Sequence, residues 1–167
     1  MSQDPNSYVG CKNWSGDLKL TSSAFSDYGE IPRECGYKNG NKIPPLIISE
    51  IPEGTKSLAL IMDDPDAMEA VGKVWVHWVA WNIDPTKTEL ELAKSTEGMT
   101  DFGEVGYGGP APPDKRHTYV FKLYALDSAP GPFFSSTKAD LEKAMEGHII
   151  VGPDFIEHAT LTGTYAP

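Results

Sequence analysis

Three short stretches of the sequence carry groups able to do chemistry: Asp63-Asp64-Pro65-Asp66, His77, and the pair His117 and Tyr119. A carboxylate beside a histidine holds its tautomer and favours the imidazolium. Two histidines so supported, next to backbone N–H groups of the glycine-rich run Gly106-Tyr107-Gly108-Gly109, would form a small anion site. Each group also has a plainer reading. The acids fit an Asx-type turn with solvated carboxylates, and His77 fits a core histidine bonded to a neighbour.

The stretch Pro110 to Asp127 must position the last of these groups. It opens with three prolines in four residues and runs into an apolar strand. Alternate residues of a strand share a face, so His117, Tyr119 and Phe121 look one way while Thr118, Val120 and Lys122 look the other. The prolines stiffen the loop, and the glycines before it let a backbone approach a ligand closely. Ser57 to Asp63 is a nearly continuous apolar run, as in a buried strand, and ends at the acidic turn. Val74 to Ile83 (VWVHWVAWNI) is apolar on both sides and reads as a central strand. Alternation puts Trp75, His77, Val79 and Trp81 on one face, and Val76, Trp78 and Ala80 on the other. If the three strands are neighbours, the polar groups at their ends converge.

Elsewhere the chain is turn-rich. Residues 1–17 read as a loosely structured lead-in, Leu18 to Phe25 as a short strand and turn, and Asn39-Gly40 as a tight turn. Pro44 to Ile48 leads into a strand. Asp84 to Thr100 supports only a loop with a short helix or strand. Thr137 to Glu146 is the best helix, capped by Ser136 or Thr137, striped by Leu141, Ala144 and Met145, and closed by Gly147. Ile149 to Tyr165 reads as one or two strands broken at Gly152-Pro153.

The 167 residues suit one domain, 1–167, with 16 glycines and 14 prolines favouring many turns over long helices. The net charge of −10 argues against nucleic acid and against electrostatic docking on anionic membranes. No apolar run of about 20 residues offers an integral membrane segment. The N-terminus lacks the basic start and apolar core of a secretory signal, which makes the cytoplasm the expected location. Free thiols at Cys11 and Cys35 are then expected, and Asn13-Trp14-Ser15 is a chance match to a glycosylation site. No His-x-His or His-x₃-His spacing anchors a metal, and no cofactor is expected. A hydrolase using His77 or His117 as general base is the alternative, but no nucleophile elbow appears and neither cysteine lies near the histidines in sequence.

From about Leu18 to Tyr165 the sequence resembles the phosphatidylethanolamine-binding proteins, also called Raf kinase inhibitor-like proteins, in particular their bacterial and archaeal branch. The resemblance is carried by Ala24-Phe25, Ile31-Pro32, Pro44-Pro45-Leu46, SLALIMDDPDA, WVHWVAWNI, GYGGPAPPDKRHTYVFKLYALD, Gly147-His148 and Leu161 to Tyr165. It implies a mainly β fold, with a large antiparallel sheet packed on a smaller one and few short helices. It implies a surface pocket for phosphate-like anions and phosphorylethanolamine head groups, made by Asp64, Asp66, Trp75, His77, Gly109, Pro110, His117 and Tyr119. In the implied mechanism His77 and His117 donate to the anion, and Asp64 orients a histidine or accepts from an ammonium group. A regulatory or inhibitor role toward a kinase or protease is implied as well, without turnover. Departures are Met68 where Pro is frequent, Ala111 where bacterial members often carry Cys, and His117-Thr118-Tyr119 where many read His-Arg-Tyr. Ile150 to His158 departs too, and an extra loop there could alter a pocket edge or a homodimer surface.

Overall fold

A computed structural model describes residues 16–131 and 136–167. The lead-in up to residue 15, with Cys11 and the Asn13 sequon, lies outside the described residues. The strands are β1 (Lys19–Thr21), β2 (Gly29–Glu30), β3 (Ile47–Ser49), β4 (Ser57–Asp64), β5 (Trp75–Ile83), β6 (Thr96–Glu97), β7 (His117–Leu126) and β8 (Ala159–Tyr165). The α-helices are α1 (Ala67–Val71) and α2 (Lys138–Met145), with one 3-10 turn at Arg33–Cys35. The protein is thus mainly β, with a six-stranded sheet ordered β2-β8-β7-β4-β5-β6 and a two-stranded sheet β1-β3. All pairings in the large sheet are antiparallel except the short edge pair β2–β8. The edge strands β2 and β6 have two residues each, which leaves little unpaired edge for a second chain to extend.

The apolar run of β4 is buried at every position because β5 and β7 flank it and both faces of the sheet are covered. One face contributes Leu58, Leu60, Met62, Trp78, Phe121 and Leu123 to a core closed by Leu20 and Ile48 of the small sheet. The other contributes Ala59, Ile61, Val79 and Trp81, and α2 covers it with Leu141 and Met145. Helix α2 starts where Thr137 Oγ1 accepts the Asp140 N–H at 3.3 Å, as a capping threonine does.

The face assignment for β5 needs correction. Trp78 pairs with Met62 and Val76 pairs with Asp63, so β5 spends one residue more than β4 across this step. That bulge at His77 breaks the alternation. Val79 and Trp81 face α2, whereas His77 meets the Tyr119 ring on the opposite side of the sheet, with centroids 5.1 Å apart. The acidic turn is corrected too: Asp63 and Asp64 are buried, and the chain after them forms α1. At the C-terminal end there is one strand, β8; Ile149 makes only an isolated bridge to Leu126, and 150–158 contains no strand.

Candidate functional site

The ends of β4, β5 and β7 meet at one edge of the large sheet. Register pairs Asp64 with Trp75, and the β4–β7 ladder ends with Asp63 opposite Val120. Continued by one step, that ladder sets Asp64 opposite Tyr119. A cleft of about 200 Å³ opens here, lined by Asp64, Ala67, Ala70, Val71, Trp75, His77, Phe102, Ala111 and Pro113. It is smaller than the ~300–1,000 Å³ of sites for drug-sized ligands, so it suits a small head group.

Asp64 is held from several directions. Its Oδ1 accepts the N–H groups of Asp66 (2.9 Å) and Ala67 (3.2 Å), as the proline-containing turn folds the chain back over the strand end. Its Oδ2 lies 2.6 Å from His117 Nδ1. The other nitrogen, Nε2, lies 2.7 Å from Asp114 Oδ1. His117 is fully buried. Burial opposes its charge, but the hydrogen bonds and charges of Asp64 and Asp114 outweigh it and hold the ring above the ordinary histidine range. Both ring N–H groups are therefore committed within the protein.

His77 is different. Nδ1 donates to the Gly108 carbonyl at 2.7 Å, and the Gly108 N–H returns a bond to the His77 carbonyl at 2.8 Å. Burial lowers its proton affinity, and the Gly108 carbonyl and the Asp64 charge only partly oppose this. The neutral ring that results keeps its proton on Nδ1 and presents Nε2 as an acceptor. The Trp75 indole N–H is buried and has no partner, while the Tyr119 hydroxyl lies against the Ala111 backbone. Burial pushes the Tyr119 phenol far up, so it stays protonated.

Gly108 and Gly109 of the glycine–proline loop spend their N–H groups within the protein. Gly109 N–H donates to Asn41 Oδ1 at 2.7 Å, Gly108 N–H is used by His77, and Pro110 has none. The Pro110 carbonyl accepts the Tyr37 N–H at 2.9 Å. The glycines instead allow close approach to the protein itself: a Cβ at Gly109 would lie 2.0 Å from the Cys35 carbonyl oxygen. Asp66 also looks inward, accepting the Thr118 N–H at 2.8 Å.

Of the eight residues expected at the site, Asp64, Trp75 and His77 line the cleft. His117 and Tyr119 lie beneath it, while Gly109, Pro110 and Asp66 shape the loops around it. Sequence reasoning missed Phe102, which stacks on Tyr37 (centroids 4.0 Å, 5° between planes) and meets Trp75 and His77 edge-on. It also missed Asn41, whose Nδ2 donates to the Tyr107 carbonyl while its Oδ1 takes Gly109. Asp114 was missed as well, although its spacing of three residues from His117 was a visible signal. Among the described residues no group of three or more His, Cys, Asp or Glu side chains is placed to hold a metal. No described helix is long and apolar enough to cross a membrane.

Residues 21–166 match the family model described as phosphatidylethanolamine-binding protein. A UPF0098 protein of Methanothermobacter thermautotrophicus is 42% identical over 142 residues, covering 80% of this chain and 92% of that protein. One from Chlamydia trachomatis is 39% identical over 153 residues, covering 89% and 98%. Among solved structures, a putative phosphatidylethanolamine-binding protein homologue from C. trachomatis superposes with a TM-score of 0.80 at 37% identity, over 90% of this chain and 98% of that one. E. coli YbcL, described as a new member of the mammalian family, gives 0.75 at 30% identity, over 89% and 97%.

Proposed function

The chain belongs to the phosphatidylethanolamine-binding protein family, and on that premise we propose that its cleft binds a small phosphoryl compound of the phosphorylethanolamine type, without turnover. One observation carries the reading. Asp64, His77 and Trp75 line a cleft large enough only for a head group, and the buried Trp75 N–H has no partner. A buried donor without a partner costs ~1–3 kcal/mol, which a ligand oxygen would recover. Because neutral His77 offers an acceptor, the phosphoryl group binds first as its protonated form, whose second ionisation lies near pH ~6. An ammonium group on the same ligand finds the Asp64 carboxylate and the faces of Trp75 and Phe102.

The role proposed for such a protein is regulatory: occupancy of the cleft sets its fit to a kinase or protease in the cytoplasm. Val71, which lines the cleft, and Met68 on the same helix α1 are about half exposed and would meet that partner.

The test is a titration with phosphorylethanolamine and inorganic phosphate, read by calorimetry and histidine NMR shifts, in the wild type and His77→Ala. Saturable binding that weakens about tenfold or more in the variant supports the reading. No saturation would end it. Release of inorganic phosphate from phosphorylethanolamine, lost in His77→Ala, would replace it with a hydrolase.

A further inference from the structure

His117 is gripped by two carboxylates that differ sharply in exposure. Asp64 is 3% exposed and is fixed by two backbone N–H groups as well as by the ring. The Asp114 side chain is 43% exposed and has His117 as its side-chain partner. The Lys115 ammonium is engaged with Glu69 at 2.7 Å, so besides His117 it is the backbone N–H groups of Asp114 and Lys115 that hold this carboxylate. Asp114 follows Pro113, which lines the cleft, and its side chain is exposed enough to rotate into water. What covers Nε2 of His117 is therefore an anionic oxygen at 2.7 Å on a releasable side chain. A phosphoryl oxygen would present the same chemistry to the same N–H.

We propose that Asp114 is a built-in competitor for the cleft's anion: its carboxylate occupies Nε2 of His117 and must swing out before a phosphoryl oxygen can take that position. This rests on the reading of the cleft as a phosphoryl site. Two anions cannot share one N–H, so the exchange is one for one. The backbone N–H groups of Asp114 and Lys115 also favour the ionised carboxylate, so the loop that holds the competitor is already set up for an oxyanion. The competitor acts as a threshold. A ligand with one carboxylate gains nothing over Asp114, whereas a phosphoryl group brings more acceptor oxygens, which can bond His117 and other donors at once. Asp114 thereby sets specificity without contacting the bound ligand.

The experiment compares wild type, Asp114→Ala and Asp114→Asn, titrated with inorganic phosphate and with phosphorylethanolamine. It is run near pH ~6, where an ordinary histidine is largely charged. Calorimetry gives affinity, and the ring signals of His77 and His117 show where the ligand sits. The expected result is an affinity about tenfold tighter in Asp114→Ala, from removal of one charge-assisted hydrogen bond, and a smaller gain in Asp114→Asn, whose amide oxygen still accepts. The His117 Nε2 signal should respond to phosphate more strongly in both variants than in the wild type. Equal or weaker binding in Asp114→Ala, with saturable wild-type binding that His77→Ala weakens, would overturn the competitor and leave the cleft reading intact. Absence of saturation in wild type and variants alike would overturn both. If the alanine variant fails to fold, Asp114→Asn, which keeps the side chain's shape, decides on the same criteria.

Discussion

Nδ1 of His117 stands 2.6 Å from Oδ2 of Asp64, both side chains are shut off from solvent, and this contact joins β7 to the end of β4. A charged pair of this kind stabilises only when every remaining polar atom is satisfied. Here it is: Asp114 takes the far side of the ring and two backbone N–H groups take the far side of the carboxylate. The pair is thus both a brace between strands and the floor of the cleft.

The two histidines should titrate on opposite sides of ~6.5, the ordinary histidine value. His117 is raised, because its two carboxylates outweigh burial; His77 is lowered, because burial outweighs its carbonyl partner. The His117 contribution to stability is therefore complete below ~6.5 and is lost as the pH rises through its raised folded value. The His77 contribution is present above ~6.5 and is lost as the pH falls through its lowered value. NMR titration reads the two midpoints, and urea unfolding of His77→Gln should gain on the wild type as the solution is made acid. A His117 midpoint at or below that of a free histidine would show that the pair does not hold the ring charged.

Asp64→Asn should cost about 2 kcal/mol, because a charge-assisted bond becomes a neutral one and the buried imidazolium loses its nearest counter-charge. The His117 midpoint should fall in the same variant. Chemical denaturation checks the first effect and NMR the second; an unchanged midpoint would mean that Asp114 alone holds the proton.

Gly109→Ala should destabilise by about 2–3 kcal/mol, since its Cβ would lie 2.0 Å from the Cys35 carbonyl oxygen and 2.9 Å from the Tyr37 nitrogen, both backbone atoms. Gly131→Ala, with nothing within 4 Å, is the control and should stay within about 0.5 kcal/mol. Comparing the unfolding midpoints of the two variants tests whether the loop is fixed by contact with the protein rather than by a ligand.

Phe102→Ala removes the ring that joins Tyr37 to Trp75 and His77. Phe102 is only partly buried, so stability should fall by about 1–2 kcal/mol, less than for a core phenylalanine. Binding of phosphorylethanolamine should weaken about tenfold, more than binding of inorganic phosphate, because the lost wall faces the ammonium. Equal losses for the two ligands would place the ring's contribution in cleft shape alone.

Much of this was legible in the sequence. The apolar runs at 57–63 and 74–83, and the alternation from His117 to Phe121, identified the three central strands and the end at which their polar groups gather. Helix α2 followed from its cap and stripe. His77 was misaimed because a bulge has no composition of its own; it exists only in the pairing of two strands. The glycine loop was misread in role because a glycine admits a ligand or a neighbouring backbone equally well, and only Cys35, Tyr37 and Phe102 decide between them. Phe102 and Asn41 reach the cleft from turns remote in sequence, where no periodicity marks them. Asp114 stood in plain view, but its partner was uncertain until the ring of His117 had a direction.

The extra residue of β5 at His77 separates two tasks along one strand. Beyond it, Val79 and Trp81 answer to α2; up to it, Trp75 and His77 answer to the cleft. Substitutions under the helix can therefore accumulate without re-aiming the histidine. Deleting a single residue between Trp75 and Trp78 would swing His77 across the sheet while leaving the amino-acid composition almost untouched. In this strand parity is inherited by residue count rather than by residue type.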